Sequence, residues 1–361
     1  MKVLFVINSS TNGGAAKMIV TLYKGVKKYY PESKIVFLKR DVSQYALEEA
    51  YYLSERLSSL GDYFKVYKKL QNVVKEEKPD AIISFLPLAN IFSGVIGKKF
   101  GVKNRIASQR NPPQIYGAVV RWLDKIIGTR GYYTNNVCNS KAGMDAFGEY
   151  PESYKKALSV INNCVEPADL ILTVEEARIK LRVPNGKVVL TCVGRLHEQK
   201  NHKLLVKTMK YIDNAVLYFA GGGPLYDSIT TLISEEGVQD KIVLLGDLDR
   251  KQVQELLIAT DVFVIPSIYE GLSNSLIEAM SYGLPIVFSD IPSFTSFLEL
   301  EEKDGYAGVL VKGNDEKAWA SSINDLINNK DLMNYYHQLS LDKVADLTPE
   351  KMTLRFLQLL K

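Results

Sequence analysis

Cysteine, histidine and long apolar runs are scarce in this chain, and each scarcity removes a class of protein. The 361 residues include three cysteines, Cys138, Cys164 and Cys192, spread widely and each in or beside an apolar run. They make no disulfide framework and fit no metal-site spacing, so buried thiols in a reducing compartment are expected. The three histidines are His197, His202 and His337. The first two resemble metal-ligand spacing only loosely and have no acidic partner in register, so no metal site is expected. No stretch approaches the ~20 apolar residues of a membrane span. The opening MKVLFVINSS has too short an apolar run for a secretory signal, and no small-residue cleavage site follows it. A cytoplasmic protein is expected, soluble or peripherally bound at the inner face of a membrane. No solenoid-period repeat and no low-complexity tract is visible.

What remains is an ordinary globular composition, 46% hydrophobic and 24% charged, in a chain too long for one core. The net charge of +4 is unevenly spread. Residues 17–40 hold Lys17, Lys24, Lys27, Lys28, Lys34, Lys39 and Arg40 against only Glu32, and residues 96–130 hold eight cations against only Asp124. A basic N-terminal half suits an acidic partner such as anionic lipid, a diphosphate-linked acceptor or nucleic acid. The alternative is a solvated surface whose lysines serve solubility.

Short apolar runs alternate with helical patterns. KVLFVIN (2–8), KIVFLK (34–39), AIISFL (81–86), NRIAS (104–108), NVCN (136–139) and LSVINN (158–163) read as strands. The pattern then restarts with KVVLTCVG (187–194), NAVLYFAG (214–221), DKIVLLG (240–246), DVFVIP (261–266), LPIVFS (284–289) and GVLV (308–311). Continuous apolar strands separated by helices mean parallel, doubly wound α/β sheets. Two such units mean two Rossmann-like domains, with the boundary in NNCVEPADLIL near Asn163 to Leu172.

Several segments could carry chemistry. Ser275-Leu276-Ile277-Glu278 fits a helix capping box, and the same helix start offers backbone N–H groups that attract phosphate. Arg195 and Lys200 follow a strand, and a departing diphosphate needs such fixed positive charge. Lys200 is also a candidate to offset a nearby carboxylate when the site is empty. Gly221-Gly222-Gly223-Pro224-Leu225 reads alone as a tight turn, and Asn12-Gly13-Gly14 as a close approach at a helix start. Ser108-Gln109-Arg110-Asn111-Pro112-Pro113 reads alone as a turn that stops a strand. Tyr116, Val119, Val120, Leu123, Ile126 and Ile127 form an apolar stripe. Packing into the N-terminal core is the first reading of that stripe, and seating on a membrane interface the second.

The strings EGLSNSLIEAM (270–280) and VVLTCVGRLHEQKN (188–201) together resemble the retaining glycosyltransferases of family 4, which have the GT-B fold. The resemblance covers nearly the whole chain and is strongest from Val188 to Pro292. It implies two Rossmann-like domains facing across a cleft: an acceptor-side domain, 1–165, completed by a C-terminal helix, 345–361, and a nucleotide-sugar domain, 166–344. It implies that Glu270 contacts donor-sugar hydroxyls and Glu278 the ribose hydroxyls, with Gly271, Leu272, Ser273 and Asn274 near diphosphate and sugar. Gly194, Arg195 and Lys200 would hold the diphosphate, Gly222 would lie near the nucleotide, and Asp247 and Leu248 belong to the segment that reads the base. Gly13 and Gly14 would sit under the donor phosphates and acceptor. Many family members have a histidine in the N-terminal domain, and this chain has none there. The Ser-x-Arg-Asn-x-Pro loop instead resembles a branch acting on lipid-linked or envelope glycans, with Arg110 or Asn111 contacting sugar or diphosphate.

The function implied is same-face transfer of a hexose or N-acetylhexosamine from a nucleotide sugar, UDP-linked by expectation, to a glycan or lipid-linked acceptor. The nucleotide sugar is a substrate, and no cofactor, no metal and no nucleic-acid partner is expected. No carboxylate pair is placed as in retaining glycosidases. Two rival readings use the same fold: a UDP-sugar epimerase, which product analysis without acceptor would reveal, and a non-catalytic partner subunit, which would bind nucleotide without turnover.

Overall fold

The computed structural model describes residues 1–11, 13–41, 45–166, 171–301 and 304–360. Asn12 and residues 167–170 of the expected boundary stretch lie outside the described residues. The chain forms two compact units, Met1–Cys164 with Leu347–Lys361, and Val165–Asp346.

The first unit holds a seven-stranded sheet: β1 (Val3–Ser9), β2 (Lys34–Lys39), β3 (Tyr51–Tyr52), β4 (Ala81–Phe85), β5 (Asn104–Gln109), β6 (Asn135–Cys138) and β7 (Leu158–Val160), in the order β3-β2-β1-β4-β5-β6-β7. Every pairing is parallel. β1 shows why its sequence is apolar at every position. Val3, Phe5 and Ile7 enter one core cluster, with Met18, Ile19 and Leu22 of the helix Gly14–Lys27. Leu4 and Val6 enter another, with Val66, Leu70 and Val73 of the helix Leu60–Glu77. A strand covered on both faces gains from apolar side chains at odd and even positions alike, at roughly 25 cal/mol per Å2 buried. The helix Pro349–Gln358 returns to this unit: Met352 and Phe356 join the cluster of β1, and Asn104 Nδ2 donates to the Leu360 carbonyl at 3.2 Å. A Cβ on Gly25 would lie 2.2 Å from Thr353 Oγ1, so glycine is what lets the two helices close.

The second unit repeats the plan with six parallel strands: β8 (Val188–Val193), β9 (Ala215–Ala220), β10 (Ile242–Leu244), β11 (Val262–Ile265), β12 (Ile286–Ser289) and β13 (Val309–Val311), in the order β10-β9-β8-β11-β12-β13. Leu190, Leu217, Phe219 and Val264 pack to one face, and Val189, Val216 and Tyr218 to the other. In each sheet the order reverses beside the first strand of the unit, at β1/β4 and β8/β11. Open α/β sheets bind ligands outside the carboxyl ends of strands at such points.

Candidate functional site

The expected residues of the second unit gather at the carboxyl ends of β8, β9 and β10 and in the loop after β11. Three glycine-bearing loops are laced together there by backbone bonds. Gly194 N–H donates to Ala220 O (2.9 Å), Gly221 N–H to Gly246 O (2.7 Å) and Leu196 N–H to Gly222 O (2.8 Å). A Cβ on Gly221, at φ +137°, would stand 2.3 Å from the Gly194 carbonyl, and one on Gly223 would stand 2.4 Å from that of Leu196. No larger residue fits either position without moving backbone. Gly222 differs, because a Cβ there would first meet the Asp247 carboxylate, 2.8 Å away, whose Oδ1 accepts from the Gly222 N–H at 2.7 Å. Leu248, the next residue, packs partly buried against the cluster of Val189, Val216 and Tyr218.

Lys200 ends the single turn Glu198–Lys200, which Asn201 closes in the left-handed conformation at φ 52°. The turn is tied to the loop after β11: Ile268 N–H donates to Gln199 O (2.8 Å), and Gln199 Nε2 to Tyr269 O (2.9 Å). This brings Lys200 Nζ to 2.7 Å from Glu270 Oε1, with side chains only 14% and 10% exposed. Ser267 Oγ donates to the same oxygen at 3.0 Å, and the Ser267 carbonyl accepts from Ser289 Oγ at 2.6 Å. Gly194 lies under the lysine, for a Cβ there would be 2.8 Å from Lys200 Cε. Arg195 is exposed and forms no ion pair among the described residues. Behind the pair, His202 is buried edge-on against Phe219, with neither ring nitrogen hydrogen-bonded. Burial first, then the charge of Lys200, pushes its pKa down to about 4.

Past Glu270, Gly271, Leu272 and Ser273 are buried and lead into the helix Asn274–Ser281. Here the capping-box expectation is corrected. The N-cap is Ser273, not Ser275, and no side chain caps it; Ser273 and Ser275 bond each other at 3.1 Å. Glu278 lies half-buried in the second turn, beyond the reach of a box that begins at Ser273. A helix start without a side-chain cap retains its attraction for anions.

In the first unit, Gly13 is the N-cap of the helix Gly14–Lys27, with ordinary extended backbone at φ −99°. Its Cβ position meets only Thr11 Oγ1, at 3.5 Å, so the fold does not demand glycine at residue 13. Arg110, after β5, is only 6% exposed. Its guanidinium lies 4.6 Å from the Phe85 ring centre and donates to Ser108 Oγ at 3.3 Å and to Asn163 Oδ1. Burial pulls its pKa down to about 10. Asn111 is half-buried, and its Nδ2 donates to Tyr116 OH at 3.3 Å. The stripe 116–127 divides in the helix Ala118–Thr129: Ile127 is buried, Val120 and Leu123 pack partly buried, and Val119 is exposed. Ser267, Gln199 and Asn163, which hold the functional candidates in place, carry no pattern that sequence reasoning could have singled out. Among the described residues no cluster of three His, Cys, Asp or Glu could hold a metal ion.

Two parallel-sheet Rossmann-like units, the second carrying the Lys200–Glu270 pair at its strand ends, have the architecture of a GT-B fold. Residues 173–340 match the family model described as glycosyl transferases group 1. The Anabaena protein Alr3699/HepE, solved with UDP and glucose, aligns with a TM-score of 0.85 at 17% identity, covering 100% of this chain and 99% of that one. A Campylobacter jejuni α-1,4-N-acetyl-D-galactosaminyltransferase acting on an undecaprenol-diphosphate glycan is 25% identical over 362 residues, 95% of this chain and 94% of its own. An Escherichia coli UDP-Gal:α-D-GlcNAc-diphosphoundecaprenol α-1,3-galactosyltransferase is 29% identical over 209 residues, 53% of each chain. Together these findings support a GT-B glycosyltransferase.

Proposed function

We propose that this chain is a retaining glycosyltransferase of the family 4 type. It moves a hexose or N-acetylhexosamine from a UDP-linked donor to a hydroxyl of a glycan or lipid-linked acceptor in cell-envelope or surface polysaccharide synthesis. The observation that carries the reading is the Lys200–Glu270 pair, held by Ser267 and set between Gly194 and a helix start with no side-chain cap. A structural ion pair needs no such surroundings, whereas a sugar diphosphate needs cations for phosphate, a carboxylate for hydroxyls and a helix start, all in one place.

In this reading the diphosphate lies against Arg195, Lys200 and the amides near Leu272, Ser273 and Asn274. Glu270 holds the donor-sugar hydroxyls and Glu278 those of the ribose. The segment Gly246-Asp247-Leu248 lies against the base, near Gly222. As the sugar–phosphate bond breaks, negative charge grows on the departing diphosphate, where the two cations stabilise it. Its oxygen takes the acceptor's proton on the face the sugar leaves, so configuration is retained. From the first unit, Gly13 and Gly14 serve donor phosphates and acceptor. Asn111 makes the sugar contact, while Arg110, engaged by Ser108 and Asn163, holds its loop from beneath. Because Arg195 and Lys200 carry the phosphate charge, transfer is expected to continue in EDTA. UDP and one UDP-sugar should raise the unfolding midpoint of the wild type by mass action, and Glu278→Ala should lose that rise. No rise with any nucleotide would overturn the proposal.

A further inference from the structure

The helix Ala118–Thr129 turns an apolar, cation-flanked face to solvent. Val119 is 70% exposed and Trp122 60%; Ile115, 40% exposed, precedes the helix across the extended residues Tyr116 and Gly117. Within the helix, Val119, Trp122 and the half-exposed Ile126 follow i, i+3, i+7 spacing, one stripe at about 100° per residue. Arg121 and Lys125 flank it on one side, Lys125 Nζ lying 5.1 Å from the Tyr150 ring centre. Arg130 closes one end, where its carbonyl accepts from Lys98 Nζ at 3.1 Å, and Lys99 follows beside the exposed Phe100. The only carboxylate of the helix, Asp124, points the opposite way. It is buried, and accepts from Tyr154 OH at 2.6 Å, Tyr133 OH at 2.9 Å and Gln109 Nε2 at 3.1 Å. The nearest exposed carboxylates in sequence, Asp145, Glu149 and Glu152, belong to the next segment, and Glu152 is paired with Lys155.

We propose that this face seats the protein on an anionic lipid bilayer, with Trp122 and Val119 entering the headgroup region and the surrounding lysines and arginines meeting lipid phosphates. Three apolar side chains fall short of the roughly 800 Å2 per partner of a stable protein interface. They suit shallow insertion, in which tryptophan sits at headgroup level and each nearby cation adds attraction. Among the described residues no helix is long and apolar enough to cross a membrane, so such a face would hold the chain at the surface. The inference deepens the proposed lipid-linked acceptor. It is tested without nucleotide, so its failure leaves the donor-site reading standing.

The test is co-sedimentation of the full chain with vesicles of phosphatidylcholine alone and with about a third phosphatidylglycerol, a content at which surface cations gain measurably. Of the two tryptophans only Trp122 is exposed, Trp319 being fully buried, so the emission shift on binding reports Trp122. The wild type should bind the anionic vesicles with a blue shift, more weakly as salt rises. Val119→Ser/Trp122→Ser and, separately, Lys99→Glu/Arg130→Glu should each lower partition by about tenfold or more. Absence of wild-type binding, or equal binding by the variants, overturns the proposal. So does salt-insensitive self-association of the wild type that Val119→Ser/Trp122→Ser abolishes, which would make the face a contact between copies.

Discussion

Removing one member of the Lys200–Glu270 pair should separate its energetic role from its chemical one. The atoms are 2.7 Å apart with about a tenth of each side chain exposed, so the pair behaves as nearly buried. Glu270→Ala leaves Lys200 uncompensated and Ser267 without its acceptor, a loss of ~3 kcal/mol, the lower end for a broken buried pair. In a unit of about 180 residues that lowers the unfolding midpoint by roughly 6–12 °C. Lys200→Ala should fall by a similar amount. The double variant Lys200→Met/Glu270→Gln replaces both charges by neutral groups of similar size and should recover to within about 1 kcal/mol of wild type. It should nevertheless lose stabilisation by UDP and UDP-sugar, which in the wild type adds ~2.7 kcal/mol at a ligand concentration of about 100 Kd. Turnover should fall by about 10²-fold or more, as when one charge-stabilising donor is removed. Differential scanning fluorimetry with and without nucleotide, and product release from a UDP-sugar, read both quantities. Unchanged midpoints in the single variants would refute the energetics. A double variant that binds donor and turns over like wild type would refute the site.

Other expectations follow from neighbouring geometry. Gly194→Ala forces a side chain onto φ +158° and places its methyl 2.8 Å from Lys200 Cε, so it should cost ~1–3 kcal/mol of stability in chemical denaturation and also weaken nucleotide binding in titration calorimetry. Gly221→Ala meets backbone at 2.3 Å and a strained φ, so it should cost ~1–3 kcal/mol in chemical denaturation. His202 is neutral when folded and charges more readily when unfolded. Its stabilising contribution is therefore complete above the ordinary histidine value near pH 6.5 and is lost as pH falls toward about 4, by up to ~3 kcal/mol. His202→Leu should flatten that part of the stability–pH curve, and an unchanged slope would reassign it to other groups.

Much of the architecture was written in runs of apolar residues. Strands covered on both faces need them at every position, so ten of the thirteen begin within one residue of the expected start, and β10 and β12 two residues later. β3 escaped because Tyr51 and Tyr52 form only a two-residue edge ladder against Val36 and Phe37. The site was legible as residue types but not as placements. Ser-x-x-Glu matched a capping rule at Ser275, yet the helix begins two residues earlier, where tertiary ties at Ile268, Tyr269 and Glu270 fix the incoming loop. The burial of Arg110 depends on Phe85, Ser108 and Asn163, which come together only through the sheet order.

The return of the helix Pro349–Gln358 to the first unit has a consequence for how the chain comes into being. Met352 and Phe356 complete the core around β1, yet a ribosome makes them after the whole second unit. The first unit therefore waits, its apolar helix Gly14–Lys27 partly uncovered, while about 180 residues are synthesised and fold beside it. Closing a loop of that length is slow rather than costly, since the entropy grows only with the logarithm of length. The earliest-made part of the molecule is the last to be finished, and a chain cut short of residue 349 would keep its second sheet and leave its first one open.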